Sequence, residues 1–451
     1  MAGDQWLSDA DLAVLARLLR KQRQVDAQGS GLSGPVEVSR VELHIGVDAQ
    51  GRRFIARSPV GAADPDVLQP AAAQPQVRQP TAVQSEVRHS GQVDARLWRG
   101  SLLAGAVADA LGAPIESKPM DQIREVFGPA GITGLVPERD GIGRITDDTQ
   151  MTLFTGEALI RAHAQQRRVG SSDVRYSTQL AYQRWLHTQG VPWEKARGPR
   201  NTTETPDGWL MGIPGLFKRR APGATCFFAL KGYGQTGELG TFTHTLNNSK
   251  GCGGVMRAAP AALWSDDPAE VFEIGAMTAA LTHSHPSGYL PAGALAVMVQ
   301  TLARGGSLAD ALAACRAQLS RWNGHEETTA ALDAAVELSG RGVPTPEKVG
   351  TLGGGNVGET ALSIAVYSAL ATSDLNAALL VSVNHDGDSD STGAVCGNIV
   401  GALYGEDAIE PTWLAQLEMR EVIEAMAADL LAEFGSRPPV DDRWATRYPN
   451  D

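Results

Sequence analysis

From Val93 to the end of the chain, apolar residues recur at helical spacing, and strand-like alternation is nearly absent. The i, i+3, i+4 pattern runs through RLWRGSLLAGAVADALG, MTLFTGEALIRAH, PAEVFEIGAMTAALTH, SGYLPAGALAVMVQTLARG, SLADALAACRAQL, ETALSIAVYSALA, LNAALLVSVN and PTWLAQLEMREVIEAMAADLLAEF. Many of these segments carry Ala and Gly on the apolar face, which permits helices to approach closely. The sequence therefore predicts a compact, all-α domain of about 350 residues, with functional groups on the polar loops between helices.

The sequence before Val93 has a different texture. Apolar residues at helical spacing predict an amphipathic helix over residues 8–22. The following segment, VELHIGVDAQGRRFIARS, alternates around a central turn and predicts a β-hairpin. A stretch rich in Pro, Ala, Gln and Val then lacks periodicity, which is typical of a linker. We predict three parts: a small α+β extension over 1–58, a linker over 59–92, and an all-α domain over 93–451.

Composition narrows the classes of function. The net charge of -12 over 451 residues argues against nucleic acid as the partner, because phosphate binding requires a basic surface. The four cysteines are far apart and show no CxxC spacing, which argues against a disulfide framework and favours the reducing cytoplasm. The N-terminus lacks a basic start followed by an apolar core, so no signal peptide is predicted. Apolar runs are interrupted before they reach membrane-spanning length.

Two short acidic clusters each stand at the start of a predicted helix: TDDT over residues 146–149 and GDSDS over residues 387–391. Taken alone, each fits an ordinary N-cap, in which one oxygen accepts hydrogen bonds from the first turn. A cap needs only one such side chain, whereas each cluster supplies several carboxylates and hydroxyls. These hard oxygen ligands suit Mg²⁺, Mn²⁺ or Ca²⁺ and are poorly suited to zinc. If the two clusters face each other, they could hold a pair of ions.

Three further loops carry polar groups. AGAVADALGAPIES ends a helix and then offers Glu116, which alone could equally be a surface acid. NNSKGCGGVMRAAP is a glycine-rich loop before a helix, and such loops expose backbone amides to phosphate, although the spacing matches neither GxGxxG nor a P-loop. THSHPSGY places His283 and His285 two apart; a zinc pair would lack a third soft ligand, and the alternative is a flexible loop.

Together these segments resemble the ADP-ribosylglycohydrolase family, the enzymes similar to dinitrogenase reductase-activating glycohydrolase, over roughly residues 96–435. The similarity runs in order through GSLLAGAVADALGAPIE, TDDTQM, NNSKGCGGVMRAAP, LTHSHPSGYLPAGALA, GGGNVGETALSIAVY and GDSDSTGAVCGNIVGALYG. The resemblance implies a compact, all-α orthogonal multi-helix bundle with a binuclear Mg²⁺ or Mn²⁺ centre. This fold agrees with the helical periodicity.

The resemblance also implies roles for individual residues. It places the metal ligands at Thr146, Asp147, Asp148, Asp388, Asp390 and Ser391. It assigns catalysis or gating to Glu116, with water activated by Glu116, Asp147 or Asp148. It assigns substrate contacts to Ser249, Lys250, Gly251, Gly253, Gly254 and His283. Asp386 lies outside this pattern and is expected to be a loop residue or to act behind the ligands.

The chain departs from the family at three positions. The usual Gly-Asp dyad of the first motif is Ala108-Asp109, and Ser391 stands where Thr is usual but keeps the hydroxyl. Cys252 stands at a position that is usually Asn, which leaves the ribose and phosphate contacts open.

From this resemblance we expect a metal-dependent hydrolase that removes ADP-ribose from protein, with arginine as the favoured acceptor. The bond cleaved would be the N-glycosidic bond at ribose C1″. Serine, nucleic acid and small molecules are the alternative acceptors. A non-catalytic ADP-ribose-binding protein is the alternative class, which the loss of a metal-binding carboxylate would favour, but all four are present. The extension over residues 1–58 could dock an ADP-ribosylating toxin, as in an immunity protein, or serve as a packing or dimer contact.

Overall fold

The computed structural model describes residues 41–47, 53–59 and 92–451, which belong to two separate compact units. In the first unit, strands β1 (Val41–Val47) and β2 (Arg53–Pro59) pair antiparallel, with Val47 opposite Arg53. The segment predicted as a β-hairpin therefore forms one. The predicted helix over residues 8–22 and nearly all of the predicted linker lie outside the described residues, so the domain limits and the docking role of the extension stay predictions.

The second unit is helical. Its helices are α1 (Ala95–Gly112), α2 (Met120–Phe127), α3 (Asp147–Val169), α4 (Val174–Thr188), α5 (Trp193–Ala196), α6 (Ala224–Thr236), α7 (Pro268–Ala280), α8 (Pro286–Ala303), α9 (Leu308–Leu319), α10 (Glu326–Ser339), α11 (Pro346–Gly350), α12 (Gly358–Ala371), α13 (Leu375–Val383), α14 (Ser389–Tyr404), α15 (Pro411–Gln416), α16 (Arg420–Glu433) and α17 (Asp442–Arg447). Short 3₁₀ helices connect them, at Ala113–Ile115, Trp209–Gly212, Pro214–Phe217, Cys252–Arg257, Ala259–Leu263 and Glu406–Ala408. Between residues 92 and 451 there is no strand, which confirms the all-α prediction.

Helices α1 and α14 pack with their backbones in close contact. A Cβ atom added at Gly401 would lie 2.1 Å from Gly100 O, and one at Gly397 would lie 2.2 Å from Ala104 O. The same close packing reaches the end of α1 and the start of α14, where a Cβ atom added at Gly112 would lie 2.3 Å from Ser389 O. The small residues therefore bring the acidic start of α14 directly against the end of α1.

Helix α8 is the apolar centre of the bundle. Every residue from Ser287 to Ala303 is buried, which fits a helix that is hydrophobic on all sides and enclosed by others. No helix among the described residues, α8 included, is long and apolar enough to span a membrane.

The last apolar segment, residues 411–434, forms two helices instead of one. The break falls at Glu418 and Met419, and Met419 has a left-handed φ of 56°. The Glu418 carboxylate accepts hydrogen bonds from Ile145 N at 3.2 Å and from Arg220 at 2.6 Å. These contacts outside the helix, directly before the TDDT cluster, are the physical reason for the break.

Candidate active site

A cavity of about 210 Å³ opens between the starts of α3 and α14. Both acidic clusters line it, although they are far apart in the sequence. The predicted site residues in its wall are Glu116, Asp147, Asp148, Gly251, Gly253, His283, Asp388, Asp390 and Ser391. Four predicted residues, Thr146, Ser249, Lys250 and Gly254, are not part of this wall. The fold therefore brings residues of both clusters into the wall of one cavity.

The TDDT cluster forms the first turn of α3. Thr146 is the N-cap, and its Oγ1 accepts a hydrogen bond from Asp148 N at 3.3 Å. Asp147 Oδ2 accepts from Gly223 N at 3.1 Å, whereas Asp148 Oδ2 is buried without a hydrogen-bond partner. Burial raises the pKa of both carboxyls well above the usual range, and the neighbouring Asp109 raises both further. The turn therefore presents two carboxylates whose charge is not compensated by the protein.

Asp109, on α1, holds this turn in place. Its fully buried carboxylate accepts hydrogen bonds from Thr146 N at 3.0 Å, from Thr149 N at 3.2 Å and from Thr149 Oγ1 at 2.5 Å. Burial raises the pKa of Asp109 to about 6, against the lowering effect of these hydrogen bonds. Asp109 was not among the residues predicted to take part in the site. A lone acid inside the small, apolar helix AGAVADALG was the available signal, since a buried acid needs donors.

The second cluster begins α14. Asp388 is the N-cap residue but makes no capping hydrogen bond with its side chain, and Asp390 Oδ1 accepts from Ser391 N at 3.0 Å. Burial, followed by repulsion from Asp148 and Asp388, raises the pKa of Asp390 well above the usual range. Burial and the nearby Asp388 also raise the pKa of Glu116. Carboxylates from three separate segments thus repel one another across one cavity.

The loop carrying Glu116 is tied to the residues before α14. Ser117 N donates to Gly387 O at 2.6 Å, and Met120 N donates to a carboxylate oxygen of Asp386. Asp386 is absent from the cavity wall. Its carboxylate therefore holds the loop that carries Glu116 to the segment before α14.

The glycine-rich loop leads into the 3₁₀ helix Cys252–Arg257. A Cβ at Gly253 would lie 2.8 Å from Cys226 Sγ, so only glycine allows the loop this close to α6. Cys252 Sγ lies 3.1 Å from Asp388 Oδ2, and the thiol donates a hydrogen bond to that carboxylate. Burial, followed by the charge of Asp388, raises the pKa of the Cys252 thiol well above the usual range.

Two residues of this loop that were predicted to contact the substrate, Lys250 and Ser249, do not line the cavity. Lys250 Nζ forms an ion pair with Glu327 at 2.6 Å. Ser249 lines a neighbouring cavity of about 380 Å³, and its Oγ lies 3.0 Å from Oγ1 of Thr225, which both cavities share.

The two histidines have separate roles. His283 is buried in the cavity wall, and its Nδ1 lies 2.8 Å from Thr282 Oγ1. Burial and the nearby Arg257 lower the pKa of His283 to about 3, so the ring stays neutral at physiological pH. His285 caps α8 by accepting from Ser287 N at 3.1 Å. Neither the zinc pair nor the flexible loop considered from the sequence describes these positions.

The donors in the cavity fit a hard divalent cation. Asp148 Oδ2 is buried without a hydrogen-bond partner, and Asp147 and Asp390 line the same cavity, so carboxylate oxygens of the kind that Mg²⁺ and Mn²⁺ prefer lie together there. Within the part of the chain that the structure describes, no three His, Cys, Asp or Glu side chains already converge as a finished ligand set. The carboxylates therefore share a cavity without being preassembled around one point.

Several known proteins are similar to this chain. The family model for ADP-ribosylglycohydrolase matches residues 92–439. The ADP-ribosyl-[dinitrogen reductase] glycohydrolase of Rhodospirillum rubrum is 27% identical over 71% of this chain and 90% of its own length. The ADP-ribosylarginine hydrolase Tri1 of Pseudomonas putida is 24% identical over 78% of this chain and 81% of its own length. A solved structure described as an ADP-ribosylglycohydrolase-related protein complex has a TM-score of 0.53 at 24% identity, covering 76% of this chain and 99% of that one, and supports the fold alone.

Proposed function

This chain belongs to the ADP-ribosylglycohydrolase family of hydrolases, and we propose that it releases ADP-ribose from ADP-ribosylated arginine in protein. The bond cleaved would join ribose C1″ to the guanidine nitrogen. The observation that carries the proposal is the cavity in which Glu116 and both acidic clusters meet. The arginine acceptor is supported by the name of the Pseudomonas putida relative, an ADP-ribosylarginine hydrolase.

We further propose that two divalent cations, Mg²⁺ or Mn²⁺, bind at this cavity. The residues that would hold them are Thr146, Asp147, Asp148, Asp388, Asp390 and Ser391. Bound cations would supply positive charge that orients the ribose hydroxyls and stabilises the charge that develops as the bond breaks. The buried, unpartnered Asp148 Oδ2 supports this assignment.

The chain's own carboxylates are suited to moving a proton. Glu116 lines the cavity, and burial followed by the charge of Asp388 raises its pKa, which makes its carboxylate a stronger base towards the attacking water. Asp147 and Asp148 are the other candidate bases at this position.

The loops around the cavity would bind and orient the substrate. Gly251 and Gly253 lie in the wall with no side chain between their backbone and a diphosphate. His283 stays neutral, and with its Nδ1 2.8 Å from the Thr282 hydroxyl, its other ring nitrogen would form a hydrogen bond with a substrate hydroxyl.

A release assay tests the proposed function. The full chain is incubated with arginine-, serine- and nucleotide-linked ADP-ribose, each with Mg²⁺, with Mn²⁺ and with a chelator. We expect metal-dependent release from the arginine-linked substrate. Faster release from another acceptor would contradict the arginine assignment. Tight binding of ADP-ribose without turnover of any substrate would contradict hydrolysis and support the binding-protein alternative.

We propose a cytoplasmic location, which is supported by four free, buried cysteines. A toxin partner for residues 1–58 stays a prediction, because the structure describes only β1 and β2 of that region.

A further inference from the structure

One wall of the cavity belongs to a basic stretch of this acidic chain. The wall runs from Ala221 to Cys226. Residues 195–231 around it hold seven Lys or Arg against two acidic residues, a net charge of +5. The remaining sequence holds 32 basic and 49 acidic residues, and the whole chain has a net charge of -12. Positive charge is thus concentrated in the stretch of sequence that contributes this wall instead of being spread over the chain.

Hydrogen bonds fix this stretch to the start of α3. Asp147 N donates to Arg220 O at 3.0 Å, and Gly223 N donates to Asp147 Oδ2 at 3.1 Å. Lys218 and Arg219, whose side chains are exposed, directly precede these anchored residues. The backbone that carries these two cations is therefore anchored next to the cavity wall.

Two cations of this stretch share one aromatic ring. The Arg219 guanidinium carbon lies 5.2 Å from the Phe227 ring centroid, and Lys231 Nζ lies 5.7 Å from it. Within the described chain, neither cation forms an ion pair with a carboxylate. The adjacent Phe228 is 59% exposed. Exposed aromatic rings next to Arg are typical of protein interfaces.

We propose that these five residues, Lys218, Arg219, Phe227, Phe228 and Lys231, here called the basic surface, bind an acidic segment of the acceptor protein beside its ADP-ribosylated side chain. The inference rests on the proposed function and names the sequence context of its substrate. A carboxylate placed at the basic surface would relieve the repulsion between Arg219 and Lys231. The chain's net charge of -12 repels an extended nucleic acid, whereas a local basic surface fits a short acidic peptide.

Two ADP-ribosylarginine peptides of equal length test the proposal. One carries Asp and Glu around the modified arginine, and the other carries Asn and Gln. Release is measured at low and at high salt for the full chain, for the double variant Arg219→Glu/Lys231→Glu and for the control Arg437→Glu/Arg443→Glu. The control changes the same charge at two exposed arginines outside the cavity.

The unmodified chain should have a kcat/KM roughly three- to tenfold higher for the acidic peptide, because each exposed ion pair contributes modestly. The difference should lie in KM and should shrink at high salt. The double variant should lose the preference and keep its kcat on the neutral peptide, while the control should keep the preference.

Equal kcat/KM values for both peptides in the unmodified chain would overturn the inference and leave the proposed function intact. No release from either peptide would instead contradict the proposed function. An equal loss on both peptides in the double variant would assign the cations to the ADP-ribose diphosphate, against the proposal. A final experiment compares the binding of a labelled acidic peptide with that of a labelled single-stranded RNA of equal charge by fluorescence anisotropy. Tighter binding of the RNA would also overturn the inference.

Discussion

The two acidic turns that meet in the cavity are fixed in opposite ways. The turn at the start of α3 is held by polar contacts, because the Asp109 carboxylate accepts hydrogen bonds from Thr146 and Thr149. The turn at the start of α14 is held by its backbone, because the glycines of that helix lie against the backbone of α1, and Ser117 N donates to Gly387 O at 2.6 Å. Helix α1 supports both turns. Its buried Asp109 carboxylate holds the first turn, and its close contact with the glycines of α14 holds the second. The two halves should therefore respond to different kinds of substitution.

The largest effect should come from the carboxylates that both turns deliver. Asp148→Ala and Asp390→Ala should each lower the rate of ADP-ribose release about a thousandfold, as expected when a preorganised electrostatic group is removed from an active site. Both variants should keep the fold, measured by circular dichroism and thermal unfolding, since removing either buried carboxylate relieves its repulsion with the other acids of the cavity.

Asp333→Ala, at an exposed acid on α10, is the matched control and should release ADP-ribose at the normal rate. Full turnover by the Asp148 or Asp390 variant in metal-free buffer would show that the two turns do not take part in the reaction.

The polar support is tested by Asp109→Ala. The substitution leaves the amides of Thr146 and Thr149 buried without an acceptor, so we expect unfolding free energy to fall by roughly 2–4 kcal/mol. Release should slow roughly ten- to a hundredfold because the TDDT turn loses its alignment. Denaturant unfolding and steady-state kinetics measure the two effects. An unchanged rate would show that the turn holds its position without Asp109.

The same support should be visible as a pH dependence. Because the pKa of Asp109 is raised to about 6 in the fold, its ionised form is disfavoured, and this penalty is present above pH 6 and disappears as pH falls towards 4. The metal-free chain should therefore gain stability from this group on acidification, by up to roughly 3 kcal/mol. In Asp109→Asn the gain should be smaller. If the free energy of unfolding depends on pH in the same way in both proteins, the raised pKa of a buried Asp109 carboxyl is contradicted.

The packed support is tested by Gly401→Ala. The new Cβ would lie 2.1 Å from Gly100 O, and because two backbones meet there, neither can yield without separating α1 from α14. We expect a loss of about 1–3 kcal/mol in unfolding free energy. Gly232→Ala is the matched control, since a Cβ in that part of α6 meets nothing within 4 Å and should leave stability unchanged or raise it slightly. Equal behaviour of the two variants would show that close packing does not fix α14.

The packed support could be predicted from the sequence, whereas the polar support could not. The helical period and the Ala and Gly faces were enough to predict an all-α bundle, and the ordered motifs were enough to predict that Asp148 and Asp390 share a site. The role of Asp109 was not predicted, because its donors lie in a different segment and only the fold brings them within 3.2 Å. Lys250 was expected at the substrate but pairs with Glu327, a residue whose position depends on how α10 packs.

The smallest effect should come from Cys252, which adds one polar contact to the packed turn. Its thiol donates to Asp388 Oδ2, but a thiol is a weak donor, so Cys252→Ala, which removes this contact, should lower the release rate no more than about tenfold. Cys315→Ala, in a buried cysteine of α9, should lower stability without altering the kinetics, which separates an effect on the site from an effect on the core. A loss beyond a hundredfold in Cys252→Ala, at unchanged unfolding free energy, would show that the α14 turn also depends on a polar side-chain contact, and the contrast with α3 would then fail.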